Sequence, residues 1–328
     1  QASSGKNRIR WLFKARKTYE SQITRLIVWR RKNWRVINFL VLMRKIMNKN
    51  NMFLAFFYLS FCIHESQSSS SEWDAQKYSE NSEPQWVESL KELKKFEILE
   101  TDNVLDIGCG DGKITAHILK TFAKRGTVLG IDQSFQMVNL AQQNYKSVLN
   151  LDFKLCDVRS MRFDSKFDKI VSFWAFHWVD DLSLALKNVY SALKPGGQVL
   201  ICCMVDKGLA VFDCIEHTMQ DPKWLKYCNN YKMPFHAVKF EDFVRIAKEE
   251  QFKVKYIEMK DVQDYYSNTT KFEDSYTTIP FVSFIPEYLK ESFFRQTFDY
   301  FYQNYKEFVQ FDGSVLEISP TITIILEK

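Results

Sequence analysis

The nine residues Val104-Leu105-Asp106-Ile107-Gly108-Cys109-Gly110-Asp111-Gly112 constrain the fold more than any other stretch of the chain. An apolar run ends in a carboxylate, glycines follow at alternate positions, and a helix-like segment starts at once. That order makes a strand, a tight turn and a helix N-terminus that a nucleotide-like ligand can approach closely. Glycine supplies the backbone angles of such a turn and puts no side chain between backbone and ligand.

The pattern around this turn repeats. Residues 103–107, 127–131, 152–155, 167–174, 198–204, 253–259 and 321–326 read as strands from their apolar and β-branched content. Between them, residues 112–123, a segment capped by Ser134, and residues 181–193 and 239–250 carry helical periodicity. Lys194-Pro195-Gly196-Gly197 reads as a turn into the fifth strand. Alternating units of this kind predict an α/β fold with a doubly wound, mostly parallel sheet.

Three regions interrupt the alternation. Residues 73–100 read as helical from Gln85 onward, and insertions are expected at 207–238 and 265–313. The second insertion is aromatic, with Phe294, Phe298, Phe301, Tyr305 and Phe308 at helical spacing, a stripe that reads first as packing surface. Insertions at the C-terminal edge of such sheets also build substrate pockets. The domain is therefore expected over residues 72–328.

Charge separates this domain from what precedes it. Residues 1–50 hold 14 of the 45 Lys and Arg and one acid, Glu20; the remainder holds 31 bases against 39 acids. The basic balance belongs to the N-terminal extension, 1–71. A domain that is itself net acidic is a poor platform for a phosphate backbone, so no nucleic-acid partner is expected.

Within the extension, basic residues near Met43, a twelve-residue apolar run over 52–63 and Ser66-Gln67-Ser68 have the pattern of a secretory signal or anchor at 43–68. The run is short for a bilayer span, so no stable span is expected. A chain that opens on Gln1 also suits translated upstream sequence or a disordered basic tail, and the extension is expected to be dispensable. The seven cysteines form no Cys-x-x-Cys pair and no metal-ligand spacing, which predicts reduced, buried thiols and no metal site.

The ligand of the glycine turn follows from its neighbours. The spacing Gly108-x-Gly110-x-Gly112 is not the GxGxxG of dinucleotide enzymes, and no Gly-Lys-Ser/Thr follows as a Walker loop requires. Asp106 stands where it would face a cationic amine and repel a pyrophosphate. Asp132, ending the second strand, suits a two-pronged hydrogen bond to ribose hydroxyls, although helix capping fits the same position. Asp157, ending the third, is placed to accept from an exocyclic adenine amine, with Cys156 and Val158 lining the base. In register these features describe an adenosine bearing an amino acid. Cells keep such a ligand inside, which favours a cytoplasmic location over the signal reading.

The run 104–112, Gly130-Ile131-Asp132, Cys156-Asp157, Phe167-Asp168 and Leu193-Lys194-Pro195-Gly196-Gly197 resembles the class I S-adenosylmethionine-dependent methyltransferases, with the motifs in order over about residues 100–204. The resemblance implies a Rossmann-like seven-stranded sheet with an antiparallel last strand, helical insertions over the C-terminal edge, and S-adenosylmethionine as cofactor. It implies cofactor contacts from Asp106, Gly108, Cys109, Gly110 and Gly112, from Asp132, Gln133 and Met137, from Cys156, Asp157 and Val158, and from Phe173. Trp73-Asp74, Tyr78, Asn81-Ser82, Gln85, Phe176-His177-Trp178, Ile279-Pro280-Phe281 and Ile285-Pro286 resemble the juvenile hormone acid methyltransferases. The tryptophan lead-in and the tryptophan after strand four are similar to the trans-aconitate methyltransferases as well. The basic extension departs from both groups and leaves the start site open.

Methyl transfer to an ionised carboxylate needs alignment and no general base. The chain suits that requirement. Ser172-Phe173-Trp174-Ala175 stands where amino-methylating enzymes carry Asn/Asp-Pro-Pro-Tyr/Phe, and no Pro-Cys nucleophile is present. Trp178 is expected to wall the acceptor pocket and donate its indole N–H to a carboxylate oxygen. The alternative is that Trp178 is core and His177 a hydrogen bonder at a helix start. The resemblance adds Gln85 as a second donor and makes Trp73 and Tyr78 a lid. The expected activity is O-methylation of a small carboxylic acid, with an isoprenoid or fatty-acid body favoured by the aromatic insertion. Competing expectations are another small-molecule, protein or RNA acceptor, or a catalytically silent cofactor-binding fold. Nothing in the sequence fixes the oligomeric state.

Overall fold

The computed structural model describes residues 73–205, 209–228, 231, 233–236, 239–277, 282 and 284–328. The extension 1–71 with its candidate signal, Cys62, and the Ile279-Pro280-Phe281 segment lie outside the described residues. Among the described residues no helix is long and apolar enough to cross a membrane.

Two helices, α1 (Ala75–Asn81) and α2 (Glu83–Leu93), lead into the sheet. The sequence pattern predicts one helix from Gln85. The break falls at Ser82 because Pro84 sits in the first turn of α2, where its missing N–H costs nothing. The earlier helix is capped by Asp74, whose carboxylate accepts from Lys77 N at 3.1 Å.

The core alternates as predicted: β1 (Asn103–Ile107), α3 (Lys113–Thr121), β2 (Thr127–Asp132), α4 (Phe135–Tyr145), β3 (Leu151–Leu155), β4 (Phe167–Phe173), α5 (Leu182–Ala192) and β5 (Leu193–Met204). Then come α6 (Ala210–Met219), α7 (Pro222–Cys228), α8 (Phe240–Glu249), β6 (Lys253–Tyr266), α9 (Thr269–Thr277), α10 (Glu287–Asn304) and β7 (Val315–Glu327). The sheet order is β3-β2-β1-β4-β5-β7-β6, with β7 antiparallel to both neighbours and the remaining pairs parallel. This is the Rossmann-like seven-stranded arrangement. The chain leaves β1 in one direction toward β2 and returns on the other side through β4. That reversal opens a crevice at the C-terminal ends of β1 and β4.

Packing explains why these segments are strands. Leu105 and Ile107 face a core with Ile170, Val199, Ile201 and the apolar face of α5, while Val104, Val171 and Leu200 face α2 and α3. Strands buried on both faces read as continuous apolar runs. Cys202 and Cys203 point into these two opposite cores, and all six cysteines among the described residues are free thiols. The insertions form a further core of their own around Phe212, Trp224, Phe272, Phe293, Phe298 and Phe301. The aromatic stripe of α10 thus packs inward, with Tyr305 and Phe308 half-buried against it.

Three boundaries differ from the sequence pattern. The fifth strand pairs back to Leu193 opposite Phe167, across a register shift, so Lys194-Pro195-Gly196-Gly197 belongs to a strand and not a turn. The sixth continues to Tyr266 and the seventh starts at Val315, a ribbon whose pairing runs without a break from Tyr256↔Ile325 to Tyr266↔Val315. At the edge of the sheet one face of β6 meets water, so its charged alternation hides the strand from an apolar criterion. Residues 265–266 therefore leave the predicted insertion and join the sheet.

Candidate functional site

The turn after β1 is held by the sheet and by Asp132. The backbone N–H groups of Gly108 and Cys109 both donate to Ile131 O, at 2.8 and 3.0 Å. The Asp132 carboxylate accepts from Gly110 N at 3.0 Å with one oxygen and from Ser134 N at 2.8 Å with the other. One side chain thus ties the glycine turn to the start of α4, and Ser134, not Asp132, caps that helix. Burial raises the Asp132 pKa against these hydrogen bonds.

Gly108 has φ +75°, and a Cβ there would lie 2.3 Å from the Cβ of Ala175. Only glycine fits, both for backbone angle and for space. The turn lines a cleft at the crevice between β1 and β4. Of the predicted cofactor residues, Trp73, Tyr78, Gly108, Gly110, Asp132, Gln133, Met137, Cys156, Asp157, Val158 and Phe173 line it, together with Trp178.

Three predicted cofactor residues do not. Cys109 is buried beneath Gly130, whose hypothetical Cβ would meet its Sγ at 2.9 Å. Gly112 starts α3 with φ +82° and lies over Phe153. Both shape the turn from below and do not face the cleft. Asp106 accepts from Thr115 Oγ1 at 2.7 Å and lines a small cavity with Gln85, Ser89 and Trp86 that adjoins the cleft through Tyr78, Gly108, Gly110, Phe173 and Trp174. Burial, opposed by the Thr115 bond and reinforced by Asp132, raises its carboxyl pKa to about 7.

Asp157 is held by a residue the sequence reading did not single out. Arg159 Nε reaches both carboxylate oxygens at 3.0 Å, its backbone N–H adds a bond at 2.8 Å, and its other guanidinium nitrogens bond Asp157 and Asp180. The guanidinium holds the Asp157 carboxyl below its ordinary range. Arg159 also lines the cleft. An arginine two residues after the carboxylate was the available signal.

A second cleft adjoins the first and shares Trp73, Tyr78, Trp174 and Trp178 with it. Trp73 packs edge to face on Tyr78 and on Trp178, with centroids 5.4 and 5.8 Å apart. Predicted residues Gln85 and His177 line this second cleft. Gln85 is carried on α2, which Lys260 of β6 clamps by bonding Glu88 and Glu92, the latter at 2.6 Å. Its amide oxygen is buried without a partner.

His177 is buried, and its Nδ1 accepts from Met204 N at 3.3 Å. Burial alone lowers its pKa to about 3, so the ring is neutral and carries its proton on Nε2. It fixes the loop after β4 against β5 and cannot serve as a strong base.

Trp174 was also missed. It lines both clefts, adopts φ +58°, and its indole N–H is buried with no acceptor. A bulky residue in the left-handed region is rare and marks functional strain. The far end of the second cleft holds Asp264 and Glu317 with Tyr266, Ser275 and Tyr276. Burial, opposed by the Tyr276 hydroxyl and reinforced by Asp264, pushes the Glu317 pKa up to about 8. Burial, with the Glu88 charge, raises Asp264 to about 6. Among the described residues no three His, Cys, Asp or Glu are grouped to hold a metal ion.

Residues 104–197 match the methyltransferase domain family. By this match residues 104–197 are a methyltransferase domain. The 235L protein of Invertebrate iridescent virus 6, named as a candidate methyltransferase, is 32% identical over 163 residues, covering 50% of this chain and 60% of the viral one. The match therefore spans less than two thirds of that relative. Juvenile hormone acid O-methyltransferase of Drosophila melanogaster is 28% identical over 204 residues, covering 58% of this chain and 68% of the fly enzyme. Among solved structures, a candidate methyltransferase of Bacillus halodurans C-125 superposes with TM-score 0.52 at 16% identity, covering 73% of this chain and 97% of that one. That likeness shows the shared methyltransferase fold.

Proposed function

We propose that this methyltransferase domain transfers a methyl group from S-adenosylmethionine to a carboxylate oxygen of a small-molecule acid, giving its methyl ester. The first cleft is read as the cofactor site and the adjoining one as the acceptor site. When bound, S-adenosylmethionine supplies an activated methyl whose bond electrons stay with sulfur as an acceptor oxygen takes the carbon. The chain's residues have only to align the partners and exclude water, which in well-ordered sites is worth about 7–11 kcal/mol of barrier.

The fit of the cofactor rests on the glycine cradle that a Cβ would fill and on Asp132 and Asp157 at successive strand ends. Asp132 keeps lone pairs for ribose hydroxyls beyond its two backbone bonds. Arg159 fixes the orientation of Asp157, which then presents its carboxylate edge toward an adenine amine. Trp73 and Tyr78 close the junction of the two clefts.

The observation that carries the acceptor reading is the buried Trp174 indole N–H without a partner at that junction. A buried donor left unpaired costs about 1–3 kcal/mol, and a carboxylate oxygen would satisfy it. Trp178 and Gln85 line the same cleft, and each carries an N–H able to donate. His177, neutral and bonded to Met204 N, cannot serve as a strong base, and an already ionised acceptor needs none. The fly relative is named for methylation of juvenile hormone acid, which agrees with this choice.

Calorimetry with S-adenosylhomocysteine, followed by a methyl-transfer screen across carboxylic acids, tests the reading. Micromolar binding and a methyl ester product are expected. Failure to bind removes the methyltransferase reading, whereas binding with transfer only to nitrogen or hydroxyl acceptors removes the carboxylate assignment.

A further inference from the structure

Asp264 of β6 and Glu317 of β7 are direct cross-strand partners in an antiparallel pair, so their carboxyls project from the same face. Two buried carboxyls in that position cannot both ionise without cost, so the empty pair keeps at least one proton. Both residues line the far end of the second cleft. No lysine or arginine lines that cleft among the described residues, and His177 there is neutral.

The partners of Glu317 are half satisfied. One carboxyl oxygen accepts from the Tyr276 hydroxyl, while Oε1 has no hydrogen-bond partner although the residue is 1% exposed. Tyr276 is itself buried, and both it and Glu317 line the cavity. The rings of Phe212, Tyr266 and Tyr276 line the same cleft. Two carboxyls in a cleft with aromatic walls and no lysine or arginine in its lining, Asp264 feeling only the more distant Lys91 charge, are the complement of a protonated amine.

We propose that the far end of the acceptor cleft is an ammonium-recognition subsite, in which Glu317 and Asp264 hold a cationic amine of the acceptor molecule. The inference rests on the acceptor reading of this cleft and narrows it to acids whose body carries an amine. Such a molecule is oriented by both ends: its ammonium sits between the two acids, and its carboxylate meets Trp174 and Trp178. The acid pair is then a recognition device in which a bound ammonium takes the place of the proton held by the empty pair.

The test uses the full chain saturated with S-adenosylhomocysteine and compares octylammonium, octanol and octanoate by calorimetry. Octylammonium is expected to bind at least about tenfold more tightly than octanol, and octanoate most weakly at this end. Glu317→Gln is expected to bring the ammonium preference within about twofold, and Asp264→Asn to reduce it in part. Asp264 is only half-buried, so its variant tests the subsite even if Glu317→Gln does not fold. Equal binding of octylammonium and octanol, no measurable ammonium binding at millimolar concentration, or a preference that survives both substitutions overturns the subsite. Loss of S-adenosylhomocysteine binding in the unsubstituted protein would instead count against the methyltransferase reading itself.

Discussion

Trp73 meets Trp178 edge to face, with ring centroids 5.8 Å apart and planes at 85°. Residues from the lead-in and from the loop after β4 thereby form one wall shared by both clefts. An edge-to-face pair contributes about 0.5–1.5 kcal/mol beyond buried area. Trp73→Ala is therefore expected to weaken S-adenosylhomocysteine binding by about three- to tenfold, read by calorimetry. Trp178→Ala is expected to cut turnover at least about tenfold with a smaller change in cofactor affinity. Equal loss of both quantities in Trp178→Ala would mark that residue as structural.

Gly108 admits no side chain at φ +75° against Ala175. Gly108→Ala is expected to lower the melting temperature and to abolish S-adenosylhomocysteine binding, since the turn must shift by more than an ångström. The left-handed strain alone is about 1–2 kcal/mol. A second substitution, Ala175→Gly, removes the colliding Cβ and is expected to restore part of the lost stability. No recovery in the double variant would place the damage in backbone strain alone.

The Arg159 clamp gives a different signature. Its pair with Asp157 is about a third exposed, so screening leaves it little weight in global stability. Arg159→Met is expected to leave the melting temperature nearly unchanged. It is expected to weaken S-adenosylhomocysteine about tenfold, because Asp157 loses its fixed orientation. A large fall in melting temperature without a binding change would contradict this role.

The buried acids predict a pH dependence of unusual sign. Folding raises the carboxyl pKa of Glu317 to about 8 and of Asp106 to about 7, so the folded state binds more protons than the unfolded one between pH 4.5 and 8. Stability from these groups is complete below their unfolded values and is lost as pH rises. His177 works the other way: its folded pKa of about 3 gives stability that is lost as pH falls below 6.5. The contributions oppose one another from pH 4.5 to 6.5, and the fall is therefore expected from pH 6.5 to 8. Thermal melts across that range measure it, and Glu317→Gln is expected to flatten the slope. A melting temperature that rises over that window would show that these acids are not held protonated.

Residues that act through local chain geometry were legible in the sequence. Gly108, Gly110, Asp132 and Asp157 each sit at the end of an apolar strand, and a strand followed by a turn fixes where its last residue goes. The same motif does not distinguish Cys109, Gly112 and Asp106, which lie outside the main cleft's lining, because neighbours in a turn alternate between facing the cleft and facing the core. The long β6–β7 ribbon was legible only in its apolar half. Residues 260–266 hold three charged side chains and one aliphatic, and nothing in that segment alone states which partner it pairs with.

What the sequence determined by itself was the Rossmann-like sheet, the cofactor turn and the class of chemistry, since these rest on hydrophobic period and on residues near one another in the chain. Tertiary structure alone decided the second cleft. Trp174 became an unpartnered donor only when helices closed over it, and Asp264 met Glu317 only through a strand register 53 residues apart. Register is set by burial of whole strands against their neighbours, so the groups that would choose the acceptor depend on packing that no local motif records.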